Sequence, residues 1–371
     1  RGRAQAVEKR QPHRDRGYDR RVHTGEHALT CYEAKSHGGK ARCAGPRYSI
    51  VMAMFNAEIT LAKAIESVQA QTLNDWELVV VDDGSTDRSF DILQGYARDD
   101  ERIKSFRQQN SGPGAARRLA LKSCMGEYVA FLDSDDYWET DFLELVEAVA
   151  SAENSDVLFI ERIYEREDGS YVGRSNVSGN KGLTKDGIVR RQMTVLIPWG
   201  MGKVFRRSLL EKARAGFSNL EVGEEAIFSF EIVSAACSIS FVEKPIYHYV
   251  KRPDGQHKKG GLDPWLPVVR AMSAHLDAVG ELDRYKTTIN GFALRSLCVA
   301  VYRIACSATR EERSSRLLAN KHKQYEDEFD FRNIDDDSID RTSKVILFLL
   351  RLGLYGAITV ASRARKRRLA Y

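Results

Sequence analysis

Short apolar runs alternate with longer segments of helical periodicity between residues 48 and 138. The apolar runs have the length of buried strands, and the longer segments carry apolar residues on one helical face. The predicted strands cover residues 48–54, 78–81, 103–106 and 128–132, and the predicted helices cover 61–68, 90–96 and 115–124, with another from 140. Repeated alternation of strand and helix predicts an α/β fold with a mixed, mostly parallel sheet flanked by helices.

Two of the predicted strands end in acidic turns. Asp82 and Asp83 follow the second strand, and Asp133, Asp135 and Asp136 follow the fourth. A parallel sheet brings the carboxyl ends of its strands to one edge, which is where α/β sheets bind ligands. We therefore expect these carboxylates to lie close together at a binding site.

Asp133 and Asp135 are two positions apart, so in an extended backbone their side chains would leave on the same side. Two such carboxylates suit Mg²⁺ or Mn²⁺, with a diphosphate supplying further oxygen ligands. The alternative is a solvated acidic turn before the next helix. The chain has neither a G-x-G-x-x-G nor a P-loop motif, so the pattern favours a nucleotide-diphosphate site that uses a metal ion instead of a glycine-rich loop.

Composition limits the function classes. The chain has 371 residues and a formal net charge of +5, which allows one large domain plus an appendage and is only weakly basic. Basic residues cluster at both ends without an aromatic platform for bases, so no nucleic-acid partner is predicted. Six scattered cysteines favour buried thiols over a disulfide framework. No signal peptide is apparent near the start, and a cytoplasmic location is expected.

The two ends of the chain differ from its middle. Residues 1–47 are rich in Arg, Lys, His and Gly without hydrophobic periodicity, which predicts a basic, disordered arm. Residues 261–371 are predicted to form a helical C-terminal region. Its last stretch, 344–371, begins apolar and ends in a basic run. This pattern favours an interfacial helix on the inner face of an anionic membrane, and the alternative is a core helix with a solvated basic end.

Four sequence blocks resemble those of the inverting family 2 glycosyltransferases, which have the GT-A fold. The blocks are, in order, Met-Phe-Asn-Ala-Glu at 54–58, Val-Asp-Asp-Gly-Ser-Thr-Asp at 81–87, Ala-Ala-Arg at 115–117 and Leu-Asp-Ser-Asp-Asp at 132–136. The resemblance implies a glycosyltransferase domain over 48–260. Its nucleotide-binding half would be 48–138 and its acceptor half 139–260.

The resemblance also implies where the nucleotide-sugar binds. Phe55 and Asn56 would lie against the base, and Asp82 and Asp83 would bind the uracil and ribose. Ala53 adjoins this site and stands where the family usually has proline, which loosens the turn slightly without removing a functional group. The alternative for Phe55 is a place in the hydrophobic core.

The acidic turn corresponds to the family's DXD motif. Asp133 and Asp135 would hold the metal ion, Mn²⁺ or Mg²⁺, and Asp133 and Ser134 would contact the nucleotide-sugar. Arg117 would brace the nucleotide. The alternative for Arg117 is an ion pair with an acid on its own helix.

In the acceptor half, the segment around Trp199 resembles the family's acceptor-side segment, and Gly-Glu-Glu at 223–225 stands where the family carries Gly-Glu-Asp. The resemblance implies that Glu225 is the general base and that Glu224 faces the acceptor. Adjacent helical positions diverge by roughly 100°, so we expect these two carboxylates to point in different directions. The alternative is that both are first-turn acids favoured by the helix dipole. His248 is either a further metal ligand or a packed histidine.

These roles imply a metal-dependent enzyme of surface polysaccharide biosynthesis that inverts the anomeric centre. It would move a sugar from a nucleoside diphosphate, UDP above all, to a hydroxyl of a glycan or lipid-linked acceptor. Because Glu225 replaces the usual aspartate, the alternative is a catalytically weakened scaffold that binds nucleotide-sugars. No oligomeric state is predicted.

Overall fold

The computed structural model describes residues 45–194, 202–213, 216–218, 220, 222–252, 261–307, 311–335 and 339–369. Most of the predicted basic arm lies outside them. Arg47, which we assigned to that arm, belongs instead to the folded chain. Its guanidinium pairs with Glu147 at 2.7 Å and also with Glu127, so the folded domain includes this residue, which we had placed outside it.

The nucleotide-side half alternates strands and helices as predicted. Its elements are β1 (Tyr48–Met54), α1 (Leu61–Gln69), β2 (Trp76–Asp82), α2 (Ser89–Asp99), β3 (Ile103–Arg107), α3 (Pro113–Ser123), β4 (Tyr128–Phe131), β5 (Tyr137–Trp138) and α4 (Phe142–Glu153). Strands β3, β2, β1 and β4 lie side by side in that order and are parallel. They are rich in buried apolar residues because helices cover both faces of a parallel sheet.

The acceptor-side half extends the same sheet with antiparallel pairs. Its elements are β6 (Val157–Arg166), β7 (Tyr171–Arg174), a 3₁₀ turn (Ser178–Asn180), α5 (Lys185–Thr194), β8 (Lys203–Arg206), α6 (Arg207–Ala213), α7 (Glu224–Ala235) and β9 (Ile239–Lys251). Strand β8 joins the halves, because it pairs antiparallel with both β4 and β6. The predicted mixed α/β fold is confirmed.

The segment 165–183, whose polar sequence rich in Gly and Ser predicts a loop, is partly strand. Strand β6 runs on to Arg166 because its outer half pairs in parallel with β9 as far as Lys251. Gly169, with φ of 78°, then reverses the chain into β7. Because β9 lies about 80 residues further along the chain, no local pattern marks this continuation of β6.

The helical C-terminal region is confirmed. It comprises α8 (Leu266–Ala278), α9 (Leu282–Ser307), α10 (Glu311–Glu326), α11 (Arg341–Arg351) and α12 (Tyr355–Leu369). Its core also includes residues of α5 and α7, and α7 is buried on both sides. The boundary that we predicted at residue 260 therefore does not coincide with the boundary between the two hydrophobic cores.

Of the helices that the structure describes, α9 has the length and apolar composition of a membrane span. Most of its apolar stretch is buried against its neighbours, as in the core helix of a globular protein. The predicted tail helix is in fact two helices, α11 and α12, which are separated at Gly353, where φ is 67°.

Candidate active site

The site is centred on Arg117, a buried arginine on α3 that is 5% exposed. Its Nη2 donates to Asp133 Oδ1 at 2.8 Å, and its Nη1 lies 2.5 Å from Glu225 Oε1 and 3.4 Å from Glu224 Oε1. Asp133 follows β4, and the two glutamates begin α7. Arg117 thus pairs with acids from distant elements, and not with an acid on its own helix.

The expected divergence of Glu224 and Glu225 is wrong in this respect, because both carboxylates reach the same guanidinium nitrogen. Two glutamate methylenes are long enough to compensate for the angle between adjacent helical positions. Both acids also lie in the first turn of α7, where the helix dipole favours negative charge.

Burial and charge set the protonation of this group. Loss of solvent raises the pKa of Glu225 to about 7, with the charges of Asp133 and Glu224 adding to the effect and Arg117 opposing it. Burial likewise raises the pKa of Glu224. Burial alone would lower the pKa of Arg117, but the three carboxylates outweigh it and raise that pKa. A carboxylate with a pKa near neutrality can both accept and release a proton, as a general base must.

The start of α7 is fixed by a glycine. Gly223 has φ of 84°, and a Cβ there would lie 2.5 Å from Cγ2 of Val268 on α8. Only glycine fits both the left-handed backbone and the close approach. The C-terminal region therefore helps to position Glu224 and Glu225.

The acidic turn is a tight turn and not the extended segment that we assumed. Asp136 N donates to Asp133 O at 3.1 Å. Carboxylate oxygens of Asp133, Asp135 and Asp136 nevertheless lie within 4.8 Å of one another. Three hard oxygen donors at this spacing fit a divalent cation such as Mg²⁺ or Mn²⁺.

We expected Asp136 at this edge of the sheet but predicted no role of its own for it. It is 2% exposed, and it accepts hydrogen bonds from Tyr247 Oη at 2.7 Å and from Val250 N at 2.9 Å. Both partners lie on β9. Asp136 therefore ties the acidic turn to the acceptor-side half, a role that only its place as the third acid of the turn could have suggested.

Asp135 is the most open of the three acids, with 40% of its side chain exposed. Loss of solvent and the nearby charge of Asp133 raise its pKa to about 6, while Arg252, 3.6 Å away, opposes the shift. Crowded carboxylates of this kind are stabilised by a cation that binds between them.

Asp83 organises the loop that precedes α3. Its carboxylate accepts hydrogen bonds from Gln108 Nε2 at 2.7 Å and from the backbone N–H groups of Ser111 and Gly112 at 2.8 Å. Asp83 is 4% exposed. Its structural role is therefore to hold the entry to the helix that carries Arg117.

Asp82 and Asn56 fasten neighbouring loops at the same sheet edge. The fully buried Asp82 accepts from Ser85 N and pairs with Arg107 Nε, each at 3.0 Å. Asn56, with φ of 49°, accepts from Thr86 N at 2.9 Å. The loops after β1 and β2 are thus joined into one surface.

The remaining predicted residues have mixed placements. Phe55 is 48% exposed and so is not part of the core. Ala53 is partly buried on β1 opposite Val81, and Ser134 lies in the acidic turn. Trp199 lies outside the described residues.

His248 belongs to a separate cluster. Its Nε2 is 2.8 Å from Glu139 Oε1 and its Nδ1 is 3.3 Å from Glu165 Oε2, while its ring stacks on Tyr137 with centroids 4.2 Å apart. Among the described residues, the group that could hold a metal ion at the acidic turn consists of three aspartates and contains no histidine. We therefore leave His248 out of the proposed metal site.

Comparisons with known proteins show which family the chain belongs to. The family model described as glycosyl transferase family 2 matches residues 49–214. EpsH of Bacillus subtilis (strain 168), an inferred glycosyltransferase, is 30% identical over 264 residues, which cover 68% of this chain and 76% of EpsH. This chain belongs to glycosyltransferase family 2. The resemblance predicted from its four sequence blocks is confirmed.

Two further comparisons extend the assignment. The poly(ribitol-phosphate) β-glucosyltransferase of Bacillus spizizenii (strain ATCC 23059 / NRRL B-14472 / W23) is 28% identical, with 64% of this chain and 37% of that protein covered. The crystal structure of Staphylococcus aureus TarS residues 1–349 in complex with UDP-GlcNAc aligns with a TM-score of 0.67 and 22% identity, covering 87% of this chain and 92% of that chain. The likeness to TarS shows that the two proteins share a fold.

Removing the positive charge of Arg117 should destabilise the protein, and the size of the loss should depend on pH. In Arg117→Gln, three carboxylates lose their shared partner, which costs on the order of 3–5 kcal/mol for a broken buried pair. The folded-state pKa of Glu224 and Glu225 should rise further, so the unfolded state binds fewer protons and stability falls as pH rises. We expect a larger loss at pH 8 than at pH 5 in urea unfolding followed by tryptophan fluorescence.

Arg98→Gln provides the control, since Arg98 is exposed on α2. It should change the free energy of unfolding little at either pH. An equal loss for Arg117→Gln at pH 5 and pH 8 would show that Arg117 acts through packing alone.

Proposed function

We propose that this glycosyltransferase moves a sugar from a UDP-sugar to a hydroxyl of a glycan or lipid-linked acceptor, with inversion at C1. The observation that carries the proposal is that Arg117 contacts both the candidate base, Glu225, and the acidic turn at Asp133. The group proposed to remove the proton of the acceptor, Glu225, is thereby close to the group proposed to bind the diphosphate, the acidic turn. Two similar proteins support a role in surface polysaccharide synthesis. The TarS structure contains UDP-GlcNAc, and the name of the Bacillus glucosyltransferase gives a polymer, poly(ribitol-phosphate), as its substrate.

The donor would bind along the loops at the carboxyl edge of the parallel strands. The exposed Phe55 offers a ring for the base, and Asn56 and Ala53 adjoin it. Asp82 and Asp83 are largely committed to holding the loops. We propose that they act on the uracil and ribose mainly by shaping this surface, since both side chains are buried.

The displacement would use Glu225 as the general base. As an acceptor hydroxyl attacks C1, Glu225 takes the hydroxyl proton, the new C1–O bond forms, and the bond from C1 to the diphosphate oxygen breaks. UDP leaves with the electron pair. Attack from the face opposite UDP inverts C1 in a single step. Glu224, the neighbour of the base on α7, would face the acceptor.

The acidic turn fits a metal cofactor. Asp133 and Asp135 would hold Mn²⁺ or Mg²⁺, with Asp136 close by and Ser134 between them. When bound, such an ion neutralises charge on the diphosphate. Arg117, which is already paired with Asp133, would keep that carboxylate oriented.

Asp135→Asn should weaken UDP binding in the presence of Mn²⁺ by tenfold or more, because an amide is a poorer ligand than a carboxylate. Isothermal titration calorimetry with UDP, with and without Mn²⁺, would measure this. Asp99→Asn, an exposed position on α2, serves as the control. If Asp135→Asn binds UDP with the parent's affinity and metal dependence, the metal assignment is wrong.

Glu225→Gln should lower the transfer rate by about 10²–10⁴-fold, the usual contribution of a general base, with little loss of UDP affinity. Because only the carboxylate form accepts a proton, kcat/KM of the parent should rise with pH until about 7. That rise should be absent from Glu225→Gln. Rates of UDP release across a panel of UDP-sugars and acceptors would measure both effects.

Glu225→Asp is the informative companion, since it keeps the carboxylate and shortens its reach. Partial activity in this variant with none in Glu225→Gln supports the base assignment. A parent that binds UDP-sugars but turns over none of them would instead favour the catalytically weakened scaffold.

We also propose that the protein contacts the inner face of the membrane through α11. Val345 and Phe348 are 56% and 61% exposed on one side of this helix, while Leu347 and Leu350 pack into the core. Basic residues follow in sequence at 363–368. Apolar anchors combined with cations are typical of interfacial helices.

The double variant Val345→Asp/Phe348→Asp should lose binding to vesicles that contain anionic phosphatidylglycerol, because it replaces both anchors with repelled charges. Co-sedimentation at low salt would measure this. Val279→Asp, at an apolar site 54% exposed beyond α8, should bind like the parent. Equal sedimentation of all three proteins would contradict the proposal.

A further inference from the structure

A cationic cavity of about 330 Å³ lies between β6, the segment after β7, and the start of β8. Four basic residues line it, Arg162, Arg174, Arg191 and Lys203, and its described lining includes no acidic residue. Mutual repulsion in such a cluster is relieved by an anion. The cavity is therefore suited to binding negative charge.

Two of these cations are buried, which distinguishes the cavity from a solvated basic surface. Arg162 is 6% exposed and Lys203 is 4% exposed. Charged side chains are rarely buried to this degree because desolvation is costly. Burial, with Arg162 adding to its effect and Glu225 opposing it, holds the pKa of Lys203 well below its usual range, so a bound anion would stabilise its charged form.

The local backbone builds this arrangement. Gly202 has φ of 78°, and a Cβ there would lie 2.9 Å from Cδ of Arg162. Lys203 Nζ lies 5.1 Å from the centre of the Phe159 ring, and Arg162 Cζ lies 5.6 Å from that of Tyr164. Glycine and aromatic neighbours therefore position both inner cations.

The nearest acid on β6 is directed elsewhere. Glu161 accepts hydrogen bonds from Ser175 Oγ at 2.5 Å and from Ser178 N and Oγ at 2.8 and 2.6 Å. It is 3% exposed and holds the segment after β7 in place. Glu161 is thus engaged by these contacts and does not line the cavity.

The cavity also belongs to the half of the sheet domain that carries the candidate base, since all its described lining residues lie between 159 and 203. Lys203 begins β8 and interacts electrostatically with Glu225. Its volume corresponds to roughly ten water molecules, which is more than a single small anion requires. A ligand would therefore place an anionic group and part of what it is attached to near the base.

We infer that this cavity binds a negatively charged group, a phosphate or a carboxylate, that is carried by the sugar acceptor. The inference rests on the proposed function, and it specifies the acceptor class: an anionic glycan or a lipid-linked glycan with its phosphate close to the accepting hydroxyl. The exposed Arg174 and Arg191 form the entrance, and the buried Arg162 and Lys203 form the inner contact.

The main test uses the double variant Arg174→Gln/Arg191→Gln, because both residues are exposed and their replacement should leave the fold intact. Transfer would be compared for an alkyl glycoside, its phosphorylated form, and the corresponding uronide. We expect the KM for a charged acceptor to rise about tenfold or more, while the KM for the neutral one and UDP release to water stay unchanged. The phosphorylated and uronide acceptors distinguish a phosphate site from a carboxylate site.

Arg98→Gln removes one exposed charge far along the sequence on α2 and should leave every KM unchanged. If the parent uses neutral and charged acceptors with equal KM, or if the double variant and Arg98→Gln shift them equally, the inference is overturned. Absence of UDP release with any donor would count against the proposed function instead.

Inorganic phosphate then tests the cavity without catalysis. In buffer containing EDTA, calorimetric titration should show phosphate binding to the parent and to Arg98→Gln. The affinity should fall about tenfold or more in Arg174→Gln/Arg191→Gln and in Lys203→Met. Equal phosphate affinity in the parent and both cavity variants, with folding confirmed by circular dichroism, would overturn the inference.

Discussion

The burial of one cation, Arg117, constrains most of this structure. A buried guanidinium is costly unless carboxylates surround it, and here those carboxylates come from Asp133 after β4 and from Glu224 and Glu225 at the start of α7. Neither half of the sheet domain can satisfy Arg117 alone. The nucleotide side and the acceptor side must therefore be correctly assembled before this charge is neutralised, which couples folding to formation of the site.

The helices that carry these charges begin at glycines for physical reasons. Gly112, with φ of 89°, precedes α3, and its N–H is held by Asp83. Gly223 precedes α7 and lies against Val268 of the C-terminal region. A region that reads in sequence as an appendage thus helps to fix the position of Glu225, and its core is continuous with α7.

Local sequence predicted those features that depend on local physics. The apolar run of β1 predicted its bounds, and acids at the ends of β2 and β4 predicted where the site would lie. The continuation of β6 alongside β9 was missed, because strand pairing across about 80 residues leaves no local pattern. The role of Asp136 was missed for the same reason, since its partners lie on β9.

The glutamate at position 225, where the family usually has aspartate, can be explained by the packing around it. The start of α7 packs closely against α8 at Gly223, where a side chain larger than that of glycine would clash with Val268. With the backbone packed in this way, the reach of residue 225 toward Arg117 depends on the length of its side chain. Glutamate supplies one more methylene than aspartate, and its carboxylate lies 2.5 Å from Arg117 Nη1. The longer side chain thus lets residue 225 pair with Arg117 from this helix start, and a carboxylate is retained at the position of the candidate base.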